Sequence, residues 1–309
     1  MQILLRVLRR LLPGWDKSFP QDDLPLITEI LSLVDYSLAE GKPLIPGQTA
    51  DEIVQLRRLL ERAIYEVLWE ADDQTEDQAA LLETFTNRIE SLCDTGCGVI
   101  TTNYDTCVEQ ELFDKRNATV SEDFDFGFGW LDAGTLTRVV RSRPAEPRFR
   151  WFKLHGSLNW ARCPACEHLY INPEGDIAHQ TFRKTADVNN VCHCGRTTAI
   201  EENQRLQLHL VAPSMYRTVR DANLLETWKN SLQLLIEAKQ WIIIGYSLPS
   251  EDIPIRSMLV RAYHARPTHP KVTVVQYGRY AEPRYRLLFP QCRYLDTGLG
   301  PWLAGKEGG

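Results

Sequence analysis

Two apolar runs, each ending abruptly in a polar turn, constrain this chain more than any other feature. Gly98-Val-Ile-Thr-Thr-Asn-Tyr-Asp105 passes from a strand-like stretch into a turn holding Asn103 and Asp105. Further along, Phe149 to Leu154 forms a second strand-like run that ends on His155 and Gly156, within Lys153-Leu-His-Gly-Ser157. In a parallel α/β sheet such strand ends converge along one edge, where ligands bind. Asn103, Asp105 and His155 gathered there would supply a water-positioning amide, a carboxylate and a general base. That set can work on a ribose without a metal.

The surrounding pattern agrees with an α/β fold preceded by helices. Residues 24–94 read as helical, beginning with an apolar face at Leu26, Ile27, Ile30, Leu31 and Leu33 that Gly41 and Pro43 end. Thr49-Ala-Asp-Glu52 is a capping box. Behind it Ile53, Leu56, Leu60, Ile64, Val67 and Leu68 mark one face of a long helix, and a third helix covers 76–93. From residue 98 strands alternate with helices. Strands are expected at Val99–Thr101, Phe149–Leu154, Leu206–Ala212, Trp241–Ile244 and Val272–Gln276, and helices at 108–113, at 223–238 and from near Pro254, with Asp252 as cap. The continuous apolar run Trp241–Ile244 suits an interior parallel strand. This succession predicts a doubly wound parallel sheet.

Four of the eight cysteines stand at metal-ligand spacing. Cys163-Pro-Ala-Cys166 presents two thiolates to one ion, and Cys192-His-Cys194 supplies a second pair, as structural zinc requires. The second pair has one intervening residue instead of two, so His193 and His168 stand as alternative ligands. The intervening 167–191 is polar and core-poor, so a bound ion would be its stabilising centre. Residues 161–200 are therefore expected to form a small zinc-binding insert. Cys93, Cys97, Cys107 and Cys292 read as buried free thiols.

Composition sets limits on function. A net charge of -6 leaves no basic excess to displace counterions from phosphate, so a general nucleic-acid binder is not expected. No run approaches the roughly 18 apolar residues of a membrane span. Residues 1–15 are basic and apolar, but Arg6, Arg9 and Arg10 interrupt the apolar core of a signal peptide. The expected compartment is the cytoplasm.

The Thr-Thr-Asn-Tyr-Asp and Lys-Leu-His-Gly-Ser runs resemble the two central motifs of the sirtuin-like NAD-consuming family. The cysteine cluster after the histidine fits the same order. So does Trp241-Ile-Ile-Ile-Gly-Tyr-Ser-Leu-Pro-Ser-Glu-Asp252, which looks like the later strand-and-turn motif of the bacterial branch, many of whose members are defence effectors against phage. The resemblance implies a Rossmann-like domain over 1–160 and 201–309, interrupted by a zinc-ribbon module. It implies that Asn103 positions water and the nicotinamide ribose, and that His155 takes a proton from a ribose hydroxyl. Asp105 joins them as a catalytic residue. Thr102, Gly156, Gly245 and Ser247 would contact NAD, the last two on its adenosine side. Gln276 stands where the family often carries a ribose-binding asparagine. The family opens with a strand and a Gly-Ala-Gly turn that cradles pyrophosphate through backbone amides. Here only Gly14 stands in the expected place. Either the loop has degenerated or the upstream strand and turn lie outside this sequence.

Each residue also has a plainer role. Asn103 suits a strand-end turn, Asp105 a helix N-cap, and His155 a hydrogen-bonded core position. Gly-Tyr-Ser-Leu-Pro also looks like part of a serine-hydrolase elbow, but the second glycine of that motif is absent. Three functions follow from the joint pattern. The first is an NAD glycohydrolase releasing ADP-ribose and nicotinamide. The second is an NAD-dependent protein deacylase. The third is a silent nucleotide-sensing or assembly module, with the helical segment 24–94 as the surface for a partner protein or a second copy.

Overall fold

The computed structural model describes residues 9, 11–14, 27–70, 75–94, 96–116, 118–133, 139–173, 177, 192, 194, 206–211, 222–250 and 252–305. Local signals set the helices. α1 (Ile27–Glu40) stops before Gly41, which adopts φ +66°, a conformation that favours glycine. α2 (Ala50–Glu70) starts at the capping box: the Thr49 amide donates to Glu52 Oε2 at 2.8 Å and the Glu52 amide to Thr49 Oγ1 at 3.2 Å. α3 (Glu76–Cys93) starts at a second box, Thr75 with Gln78. α1 and α2 bury Ile30, Leu31 and Val34 against Ile53, Leu56 and Leu60. Burial of each such side chain contributes about 1.5–3 kcal/mol before ordering costs. Arg57 bridges Asp35 across the pair at 2.6 Å and Glu61 on its own helix at 2.9 Å. No described helix is long and apolar enough to cross a membrane.

The remaining elements are β1 (Gly98–Thr101), α4 (Cys107–Arg116), α5 (Val120–Asp123), β2 (Phe124–Asp125), β3 (Trp130–Asp132), β4 (Val140–Arg141), β5 (Phe149–Lys153), β6 (Gly156–Arg162), β7 (Leu169–Ile171), β8 (Gln207–Leu210), α6 (Ala222–Glu237), β9 (Gln240–Ile244), α7 (Ile253–His264), β10 (Lys271–Val275), α8 (Glu282–Leu288), β11 (Arg293–Leu295) and α9 (Leu299–Leu303). The chain is thus a mixed α/β protein. Among the described strands two sheets are wholly parallel, in the orders β1-β5-β2 and β11-β10-β9. A third, mixed sheet runs β4-β3-β7-β6-β8.

Two aromatic-rich cores hold these layers. Phe124, Phe126, Phe128, Trp130, Phe149, Trp151 and Trp160 share one core, where Trp160 meets Phe128 edge-on at 5.1 Å between centroids. The other joins Leu154 to Trp241, Val272, Val274 and the α7 face, and Ile100 packs against it. The first and second sheets therefore share apolar material although no pairing links them among the described strands.

Two local expectations are corrected. Trp241–Ile244 was expected as an interior strand, yet among the described strands β9 ends its sheet, with Ile242, Ile243 and Ile244 half-buried. The reason is that β10 is its single partner among the described strands. Asp252 does sit at the N-cap of α7, but its carboxylate makes no cap bond and accepts the Tyr246 hydroxyl at 2.8 Å instead.

Candidate functional site

β1 and β5 pair in parallel with Thr101 opposite Lys153, and the Leu154 amide donates to the Thr101 carbonyl at 3.0 Å. Thr102 and Asn103 therefore leave the sheet beside Leu154 and His155, at the C-terminal edge where α/β sheets collect ligands. The Asn103 side chain is exposed there, while its amide donates to Thr101 Oγ1 at 3.1 Å. Thr102 is half-buried. Asp105 Oδ1 accepts the Cys107 amide at 3.3 Å, two residues on, so its carboxylate closes a turn at the entry to α4. The N-cap position itself falls on Thr106, whose carbonyl accepts the Gln110 amide at 2.8 Å, so the N-cap role expected of Asp105 is corrected by one residue.

His155 is 5% exposed, and its ring lies 6.0 Å from that of Tyr104. Its backbone is fixed on both sides. The Val211 amide donates to its carbonyl at 2.8 Å, and Trp228 Nε1 donates to the preceding Leu154 carbonyl at 3.2 Å. Gly156 follows with φ +80°, and a Cβ there would lie 2.0 Å from the His209 carbonyl oxygen. No other residue fits that corner without moving β8. The glycine thus serves a backbone approach, a requirement visible without any ligand.

The Gly245-Tyr-Ser247 turn closes β9. Gly245 is exposed, has φ +67°, and faces open space where a side chain would begin. The Tyr246 carbonyl accepts from Gln276 Nε2 and from the Tyr285 hydroxyl, each at 2.5 Å, and the Ser247 carbonyl accepts from Arg284 at 2.9 Å. Gln276 is buried and committed to this turn. Gly14 lies in an exposed turn whose neighbours Leu11 and Leu12 pack on the α1–α2 core. Among the described residues no strand precedes β1.

The four cysteine sulfurs lie within 4.8 Å of one another. Cys163 to Cys194 is 3.8 Å and Cys166 to Cys192 is 3.5 Å. A tetrahedral ion with metal–sulfur bonds of about 2.3 Å needs sulfurs about 3.8 Å apart, so the set fits a metal. The shorter spacing of the second pair does not prevent closure. His168 Nδ1 stands 3.2 Å from Cys166 Sγ, as a neighbour of a ligand; His193 lies outside the described residues. The knuckle is the turn of the β6–β7 hairpin, where Arg162 pairs with Leu169 and the Cys163 amide donates to the His168 carbonyl at 3.1 Å. Tyr170 donates its hydroxyl to Cys192 Sγ at 2.9 Å. Sequence reasoning did not single out Tyr104, Tyr170 or Trp228, since each acts on a group distant along the chain.

A family model for the SIR2-like domain matches residues 98–289, from β1 to the end of α8. Among solved structures, one described as "Sir2-p53 peptide-NAD+" is 13% identical, over 91% of this chain and 97% of that one, with a TM-score of 0.42. Another, described as "The Structural basis for Sirtuin Substrate affinity", is 14% identical over 73% of this chain and 69% of that one, with a TM-score of 0.38. No curated protein matches the chain.

Proposed function

The chain belongs to the SIR2-like domain family, and from that premise we propose that it cleaves the nicotinamide–ribose bond of NAD, releasing ADP-ribose and nicotinamide. The observation that carries this reading is the side-by-side exit of Asn103 and His155 from paired parallel strands. As the glycosidic bond breaks, its electron pair leaves with the pyridine nitrogen and an oxocarbenium-like ribose remains. Asn103 holds water and the nicotinamide ribose, and the water oxygen bonds to the anomeric carbon. The proton that this water loses replaces the one His155 takes from the ribose hydroxyl that the resemblance assigns to it, so one proton ends on the imidazole. Asp105 acts by holding the turn, through its bond to the Cys107 amide. Thr102 and Gly156 border the ribose, and Gly245 and Ser247 border the adenosine half. Cys163, Cys166, Cys192 and Cys194 would hold a zinc ion whose work is structural, because a four-sulfur set leaves no open position.

In this reading the parallel sheets are the Rossmann-like part, spanning 1–160 and 201–309, and 161–200 is a zinc-ribbon insert. The protein works in the cytoplasm, as an antiphage effector, with α1–α3 offering the surface for a second copy or a partner protein.

A second reading has its own support. The outer edges of β1 and β9 pair with no described strand, and no strand leading into a glycine turn precedes β1 among the described residues. Such a site could hold nucleotide without turning it over, as a sensor or assembly module.

Chromatography of products after incubation with NAD, with and without an acylated peptide, separates these cases. ADP-ribose formed without peptide, and abolished by His155→Ala and Asn103→Ala at unchanged thermal midpoint, supports the hydrolase. Turnover only with peptide makes the chain a deacylase. Calorimetric binding of ADP-ribose without turnover leaves the silent module.

A further inference from the structure

We propose that Lys153 is a positioning residue: its buried ammonium sets the Asn103–Asp105 turn against the segment that carries His155. Lys153 ends β5, opposite Thr101, and its side chain is 1% exposed. Nζ donates to Glu109 Oε1 at 2.6 Å, on the first turn of α4, and also to the Asp105 carbonyl. One ammonium thus joins the strand, the turn and the helix.

Stability alone does not explain this group. Removing two charges from water costs several kcal/mol each, and two apolar side chains of similar volume often fill such a site equally well. What an apolar pair cannot do is donate to the Asp105 carbonyl. The adjacent carbonyl is gripped in the same manner: Tyr104 O accepts the Leu158 amide at 2.9 Å and Ser157 Oγ at 3.3 Å. Lys153, Ser157 and Leu158 flank His155 on both sides. The histidine segment therefore holds two successive carbonyls of the asparagine turn, and Asn103 stands immediately before them.

This inference rests on the NAD-cleavage reading for its kinetic consequence, but not for its structural one. The test is Lys153→Met/Glu109→Leu, which removes the pair without leaving a lone buried charge. The expected result is a urea midpoint near that of the wild type and kcat for NAD lower by about a hundredfold, the scale of a 1 Å misplacement, with a smaller change in KM. Amide hydrogen exchange in 102–107 should quicken while that in α7 does not. Wild-type kcat with wild-type exchange in 102–107 would overturn the proposal. If the double variant does not fold, the wild type decides: the Asn103 and Cys107 amides should exchange as slowly as those of β1, and exchange at the unprotected rate overturns the grip. A wild type that turns over no NAD sinks the NAD reading, while the exchange measurement still tests Lys153.

Discussion

The Tyr104 hydroxyl donates to the Val211 carbonyl at 2.8 Å, across a sequence separation of 107 residues. The Val211 amide in turn donates to the His155 carbonyl at 2.8 Å. One residue beyond β8 therefore ties the asparagine turn to the histidine corner. Tyr104→Phe keeps the ring and removes the hydroxyl. It should lower stability by about 1 kcal/mol, the usual net worth of one hydrogen bond, and reduce NAD turnover more than the stability loss explains. Urea melts beside initial rates check this; a variant with unchanged rate makes the link a packing detail only.

Two glycines with positive φ should respond differently to alanine. Gly156→Ala places a Cβ 2.0 Å from the His209 carbonyl oxygen, in addition to the strain of φ +80°. Strain of that kind costs about 1–3 kcal/mol by itself, and the clash adds to it, so Gly156→Ala should fold poorly. Gly245→Ala meets nothing within 4 Å at φ +67°. It should bear the strain alone, about 1–2 kcal/mol, and remain folded. Equal urea midpoints for the two variants would refute the close approach at Gly156.

Cys97, just before β1, is pulled down to about 7 by a hydrogen bond from Cys93, against its own burial and with help from Arg150. The same bond, together with burial, pushes Cys93 up. The thiolate of Cys97 should therefore be half-formed near neutral pH and dominant above it. Iodoacetamide labelling followed by mass spectrometry should show Cys97 reacting with a midpoint near pH 7 and Cys93 unreactive. Cys93→Ala should move that midpoint up toward the ordinary thiol value of about 8.5. Equal labelling of both thiols, rising only above pH 8, would contradict the pairing.

Much of this architecture was legible from local signals because local physics decides it. The Thr49–Glu52 box and the helix at 76–93 fall where expected, since capping and helical periodicity involve neighbours a few residues apart. The strand ends at Asn103 and His155 were visible as apolar runs cut by polar turns. β6 was not, because its buried face includes Ser157 and Asn159, which read as loop residues until Tyr104 and β7 are seen against them. The place of β9 at the end of its sheet among the described strands was misread because three consecutive isoleucines carry no information about which strands pair beside them. Lys153 was passed over for the same reason: Glu109 and the Asp105 carbonyl lie 44 and 48 residues away.

The cysteine knuckle makes the last prediction. It forms the β6–β7 turn, and Gln110 of α4 donates to the Pro173 carbonyl at 3.2 Å just beyond β7. The ion is thus expected to fasten the mixed sheet to the helix that follows the asparagine turn. Native protein should carry about one zinc per chain, measurable by elemental analysis. Thiolates bind metal and thiols do not, so affinity should fall as pH falls, with zinc release on acidification. A strong chelator, or Cys192→Ser, should speed amide exchange in 161–172 first, while β10 and α7 stay protected, because those elements pack in a core that contains none of the four cysteines. NAD turnover should decline only as that exchange rises. Well under one zinc per native chain, with 161–172 still protected, would mean that the four sulfurs hold no ion and that packing around Trp160 and Tyr170 keeps the hairpin ordered by itself.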